Sequence, residues 1–138
     1  MLVALGACGG GTSDGDRRRT TETLVIGALT GHSDAGEKVF GRCKACHTIG
    51  AAANDTNGPN LYAVVDGPVA QRRPRYAYTA ALQQFGGRWD PVRLDAWLRD
   101  PQATVPGTTM RYPGVADAQQ RADVIAYLAT YRPAAQRK

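Results

Sequence analysis

Lysine, histidine, cysteine and methionine are all scarce in this 138-residue chain. Its 17 basic and 12 acidic residues give a formal charge of +5, yet only Lys38, Lys44 and Lys138 are lysines, so arginine carries most of the positive charge. No dense basic stripe alternates with aromatics, which argues against nucleic acid as a partner. A modest positive charge either favours acidic protein partners and speeds their encounter at low salt, or is an ordinary solvated surface. No apolar run approaches the roughly 18 residues of a transmembrane helix. No alternating strand pattern and no internal repeat is present, and helical periodicity dominates, which places the fold in the all-α class. Apolar content of 43% and charged content of 21% are those of a globular protein. The length fits one domain with a tail.

Two of the three cysteines stand together in Cys43-Lys44-Ala45-Cys46-His47. This is the C-x-x-C-H pattern that attaches c-type haem. Two thiols at this spacing can form thioethers to the vinyl groups on one side of a porphyrin, and the following imidazole lies under the ring and binds iron. A zinc site would need two further ligands nearby. The remaining cysteine and histidine, Cys8 and His32, are both well upstream. A thioredoxin-like pair would sit in a βαβ pattern, and none is visible.

The third cysteine closes an apolar start, Met1 to Cys8, that ends in Leu5-Gly6-Ala7-Cys8. That tetrapeptide resembles a bacterial lipobox, whose cysteine becomes lipidated, although the apolar part is short and lacks a basic n-region. Residues 1–8 read as a truncated signal segment with Cys8 as a lipid anchor, against the plainer alternative of a tail with an odd thiol. Residues 9–33 read as a flexible linker, opened by Gly9-Gly10-Gly11-Thr12-Ser13. Such a tether reaches about 28 Å. Arg17-Arg18-Arg19 either touches anionic headgroups or is a solvated charge run, and Leu24 to Leu29 packs on the domain or on a partner.

The folded domain spans residues 34–132, followed by a tail over 133–138. Asp34 and Glu37 have capping-box spacing, and a first helix is expected over 34–46. A short helix follows Thr79. Asp90-Pro91 opens a helix over 91–99 with Leu94, Trp97 and Leu98 on one face, and Pro101 stops it. Residues 105–114, rich in Pro and Gly, form an irregular loop. A last helix begins at Asp117, with Gln120 at the box position, and Val124, Tyr127, Leu128 and Tyr131 make its core stripe.

Two side chains compete for the iron position opposite His47: His32, and Met110 in Pro106-Gly107-Thr108-Thr109-Met110. A methionine often merely fills a core gap, but Met110 stands in a Pro/Gly loop. A thioether opposite histidine raises the potential.

Over residues 34–132 the chain resembles the class I c-type cytochromes of the mitochondrial and proteobacterial short-chain type. The resemblance rests on Gly36, Phe40, Cys43-Lys44-Ala45-Cys46-His47 and Gly58-Pro59-Asn60-Leu61. It continues through Tyr78-Thr79-Ala80-Ala81, Trp89-Asp90, Pro106 to Met110, and Arg121 to Leu128. It implies three main helices and shorter ones wrapped around one covalent haem c, with thioethers at Cys43 and Cys46 and axial ligands His47 and Met110. It further implies that Pro59 accepts from the His47 ring, that Tyr78 and Trp89 donate to a haem propionate, and that Thr108 bonds beside the Met. Gly36, Phe40 and Tyr127 lie where the first and last helices cross. The chain departs from the family at Val65-Asp66-Gly67-Pro68, where relatives carry a propionate-binding Arg after a Gly; Arg72, Arg73 or Arg75 are the candidates to replace it. Leu82 replaces a polar residue near the haem.

The function implied is a one-electron carrier, not an enzyme, with transient partners such as an oxidase, a cytochrome bc-type complex or a reaction centre. The competing readings are a haem enzyme or gas sensor with a labile sixth ligand, and a fixed subunit of a membrane complex. Haem attachment to C-x-x-C-H and the lipobox-like start together point to the bacterial periplasm, tethered to the membrane.

Overall fold

The last helix explains the arrangement of the rest. The computed structural model describes residues 21–136. Its helices are α1 (Ser33–Phe40), α2 (Ala80–Phe85), α3 (Pro91–Arg99), α4 (Pro101–Thr104) and α5 (Ala118–Thr130), preceded by strands β1 (Thr23–Ile26) and β2 (Leu29–His32). Asp117 caps α5 by accepting from the Gln120 backbone N–H at 2.7 Å, the expected start. Every residue from Arg121 to Ala129 is buried. A helix is buried on all sides only when several neighbours cover it; here they are α1, α3 and the β1–β2 hairpin.

The α1–α5 crossing depends on Gly36. A side chain there would run into the Asp123 carbonyl and approach Tyr127 Cβ to 2.8 Å. Phe40 and Tyr127 pack alongside with ring centroids 5.2 Å apart, so the residues expected at the crossing are there. Phe40 is almost fully buried, a contribution of about 1.5–3 kcal/mol.

Two expectations about this region need correction. First, α1 ends at Phe40 rather than continuing to Cys46. From Gly41 the chain tightens into turns, with Gly41, Arg42 and Cys43 N–H donating to the carbonyls three residues back. Glycine is a poor helix interior residue, and Gly41 is where the helix fails. The cap is also displaced: His32 is the N-cap residue, without a side-chain cap bond, and Asp34 lies inside the first turn, where its charge suits the helix dipole.

Second, the expected linker over 9–33 is not a linker from Thr23 onward. Strands β1 and β2 pair antiparallel, Thr23 opposite His32 and Ile26 opposite Leu29. Gly27, at φ +59°, takes the first position of the two-residue turn, where a II′ hairpin calls for glycine. Ile26 is buried, and Leu24 and Leu29 pack against the core. The His32 N–H donates to Asp123 Oδ1 at 2.9 Å. Gln119 Nε2 donates to the Thr30 carbonyl at 2.7 Å and to Asp123 Oδ1 at 2.8 Å. The small sheet is thus an outer cover on a mostly helical fold. Cys8, the lipobox-like start and Arg17-Arg18-Arg19 lie outside the described residues, as does the end of the tail.

The middle helices follow their capping signals. Thr79 accepts from Leu82 N–H at 3.2 Å and Asp90 from Arg93 N–H at 2.8 Å. Leu94, Trp97 and Leu98 turn into the core. Arg121 ties the C-terminal half together. Its Nε lies 2.7 Å from Asp95 of α3, and its Nη1 donates to the Val115 and Ala116 carbonyls at 2.9 and 2.8 Å. Buried guanidinium with two carbonyls and a carboxylate leaves little of its charge unsatisfied.

Candidate functional site

A cleft of about 380 Å³ opens between α1, α3, the 54–79 segment and the 105–114 loop, with Cys43, Cys46, His47 and Met110 in its walls. Cys43 and Cys46 are both unpaired thiols. The turn that replaces the end of α1 presents them: Cys46 N–H and His47 N–H both donate to the Cys43 carbonyl, at 3.1 and 2.9 Å. Burial pushes the Cys43 thiol pKa up, with Arg42 opposing and Cys46 adding to the rise.

His47 is oriented from behind. Its Nδ1 lies 2.8 Å from the Pro59 carbonyl. A carbonyl only accepts, so Nδ1 carries the proton and Nε2 keeps its lone pair for a metal. The ring lies against the bare backbone of Gly58, where an added Cβ would come within 2.7 Å of Nδ1. Burial lowers the His47 pKa while the Pro59 bond partly restores it. A neutral imidazole with a fixed tautomer is the form that binds metal.

The loop holding Pro59 is itself stitched. Asn60, 2% exposed, donates from Nδ2 to Thr48 Oγ1 and the Gly50 carbonyl, each at 2.9 Å, and accepts from Tyr62 N–H at 2.7 Å. Asp55 accepts from Asn60 N–H and from Arg73 Nε, both at 2.7 Å. Burial would raise the Asp55 pKa, but these donors outweigh it and hold the carboxyl below its ordinary range. Sequence reasoning assigned Asn60 and Asp55 no role. A polar residue directly after a Gly-Pro turn was the available signal.

Across the cleft, Met110 is half-buried in the expected irregular loop, and its N–H donates to Thr108 Oγ1 at 3.2 Å. Thr108 is buried beside it. His32 is not among the cleft residues; its place is the N-cap of α1. Tyr78, Trp89 and Leu82 also line the cleft. Trp89 is buried against Phe85 and Trp97.

The three candidate arginines separate cleanly. Arg73 is committed to Asp55. Arg75 is exposed and outside the cleft lining. Arg72 lines the cleft, half-buried. A side chain on Gly67 would collide with the Arg72 stem and come within 3.1 Å of its Nε. The Arg72 side chain therefore occupies the space next to the position where relatives carry their arginine. Burial lowers its pKa, with Tyr78 opposing.

The donor set fits a c-type haem: two thiols and an imidazole on one wall, a thioether in another, and apolar side chains such as Leu94, Leu98 and Leu128 between. Among the described residues, no three His, Cys, Asp or Glu side chains converge as a metal site, which removes the zinc alternative there.

Known proteins resemble this chain in sequence and in fold. The family profile "Cytochrome c" matches residues 33–132. Cytochrome c2 of Rhodomicrobium vannielii is 46% identical over 95 residues, covering 69% of this chain and 75% of that protein. The "cytochrome c-type cyt cy" of Rhodobacter capsulatus is 42% identical over 103 residues, 74% of this chain and 50% of that one. Among solved structures, cytochrome cH from Methylobacterium extorquens superposes with a TM-score of 0.67 at 42% identity, covering 71% of this chain and 97% of that one. With the family profile spanning the whole helical domain and such relatives on either side, the chain belongs to the cytochrome c family.

Proposed function

We propose that this chain passes single electrons between redox proteins in the bacterial periplasm, on one haem c that Cys43 and Cys46 would bond and that His47 and Met110 would ligate. Family membership makes it a c-type haem electron carrier of a respiratory or photosynthetic chain. The observation supporting this ligand set is that His47, its Nδ1 bound to Pro59, and Met110 stand in the walls of one apolar cleft. When bound, the haem iron supplies the ferric–ferrous couple. Pro59 and Gly58 keep the imidazole aimed, so its orientation would hold through a change of iron charge. Thr108 braces the Met110 backbone. Arg72, Tyr78 and Trp89, all in the cleft lining, would provide a cationic and polar end for the propionates. Apolar walls exclude water and favour the less charged ferrous state.

A carrier, rather than an oxygen- or peroxide-using enzyme, is favoured because the cleft walls contain no carboxylate and no second histidine to move protons. Partners bind transiently through small interfaces. The visible spectrum of the purified protein tests the ligand set. Sharp low-spin bands when reduced, with a weak far-red band when oxidised, are expected. Met110→Ala is expected to remove the far-red band, lower the potential sharply and admit CO. A high-spin spectrum from the unmodified protein, or an unchanged potential in Met110→Ala, would overturn it.

A further inference from the structure

We propose that Gln102 is a positioning residue that holds the loop carrying the sixth ligand closed, an inference that rests on Met110 as that ligand. The side chain of Gln102 reaches from α4 to the loop, where its Nε2 donates to the Thr108 carbonyl at 3.1 Å and to the Met110 carbonyl at 3.0 Å. One carboxamide therefore bridges two carbonyls on either side of Thr109, including that of the ligand itself.

The element behind Gln102 is firmly seated. Asp100 caps α4 by accepting from Ala103 N–H at 3.0 Å. Pro101 is buried, and Thr104 Oγ1 donates to the Ala96 carbonyl of α3 at 2.9 Å. The loop in front has fewer ties. Thr108 N–H donates to the Val105 carbonyl at 3.1 Å, and the Met110 N–H bond to Thr108 Oγ1 is internal to the loop. The next backbone tie is Val115 N–H to the Leu98 carbonyl at 2.7 Å. Swinging Met110 away from the cleft thus breaks both Gln102 bonds, while the Arg121 bonds beyond Val115 persist. Segments held by few backbone hydrogen bonds open before the elements they join, and any bond made only in the closed state shifts that equilibrium.

The test compares haem-loaded protein with Gln102→Leu, which keeps length and loses both donors, and Gln102→Glu, which at neutral pH turns the donors into acceptors facing carbonyls. Gln84→Leu, at an exposed glutamine of α2, is the surface control. Two quantities are read: the rate of cyanide binding to the ferric protein, and the temperature at which the far-red band fades compared with the far-UV circular dichroism transition. Gln102→Leu is expected to speed cyanide binding about tenfold, equivalent to about 1.4 kcal/mol of loop closure. The far-red band fades at lower temperature while the unfolding transition moves little. Gln102→Glu is expected to do more, and Gln84→Leu nothing. Unchanged cyanide rates and band temperatures in both Gln102 variants would overturn the role of Gln102 while leaving the Met110 assignment intact. A far-red band absent already from the unmodified protein would remove that assignment and this inference together.

Discussion

At the scale of residues, the site works through pairs in which one member is bare. Gly58 gives up its side chain so that the His47 ring can lie on the backbone, and the neighbouring Pro59 carbonyl then fixes the tautomer. Gly67 gives up its side chain so that Arg72 can fill the same space. Among the described residues Arg72 has no hydrogen-bond or ion-pair partner of its own, although it is half-buried. A half-buried guanidinium without an acceptor is costly unless an anion arrives, and a haem propionate is such an anion. Replacing Arg72 by Gln is expected to lower the midpoint potential, because the ferric state loses a repelling cation. The effect is on the order of 1 kcal/mol at an effective dielectric near 20. Arg72→Lys restores most of it, while Arg75→Gln changes little. Redox titration of the three variants checks this, and an unaffected Arg72→Gln would assign the propionate to other groups.

At the scale of elements, the hairpin is the addition to the helical frame. It rests on α5 through Ile26 and through the Asp123 carboxylate, which receives His32 N–H and Gln119 Nε2. Asp123 is 7% exposed, so truncating it leaves the part-buried His32 N–H and the Gln119 carboxamide without their acceptor. Asp123→Ala is expected to cost about 1–3 kcal/mol in denaturant unfolding and to speed amide exchange in Thr23–His32. The haem spectrum is expected to stay unchanged, because no residue of Thr23–His32 lines the cleft. Equal stability in the variant would mean that the hairpin contributes nothing to the fold. The period-2 signal for these strands was short, two runs of four residues around Gly27-Ala28. Such runs are marginal alone, and only the apolar surface of α5 makes them stable.

At the scale of the whole molecule, the charge of +5 and the lipobox-like Leu5-Gly6-Ala7-Cys8 are sequence features whose consequence is a question of location. We propose that Cys8 is lipidated and tethers the domain to a membrane. Detergent phase partitioning of the expressed protein should move from the detergent phase to the aqueous phase on Cys8→Ser. Aqueous behaviour of both forms would remove the tether and leave a freely diffusing carrier.

The C-x-x-C-H haem signature and the caps at Thr79, Asp90 and Asp117 were determined by sequence alone, whereas the expected one-sided stripe of the last helix gave way to burial all round from Arg121 to Ala129. The signature and the caps each depend on residues within about one helical turn of one another, where spacing is geometry. Three things were decided only in the tertiary structure. Met110 rather than His32 faces the cleft, because α1 carries His32 away to its N-terminal end. Arg72 rather than Arg73 or Arg75 enters the cleft, because Asp55 captures Arg73 and Gly67 leaves room for Arg72. The segment before α1 becomes a hairpin because α5, some ninety residues later, offers Ile26 an apolar surface and accepts the His32 N–H on Asp123. Each of these choices depends on which groups long chain segments bring within hydrogen-bond reach, and local spacing carries no record of that.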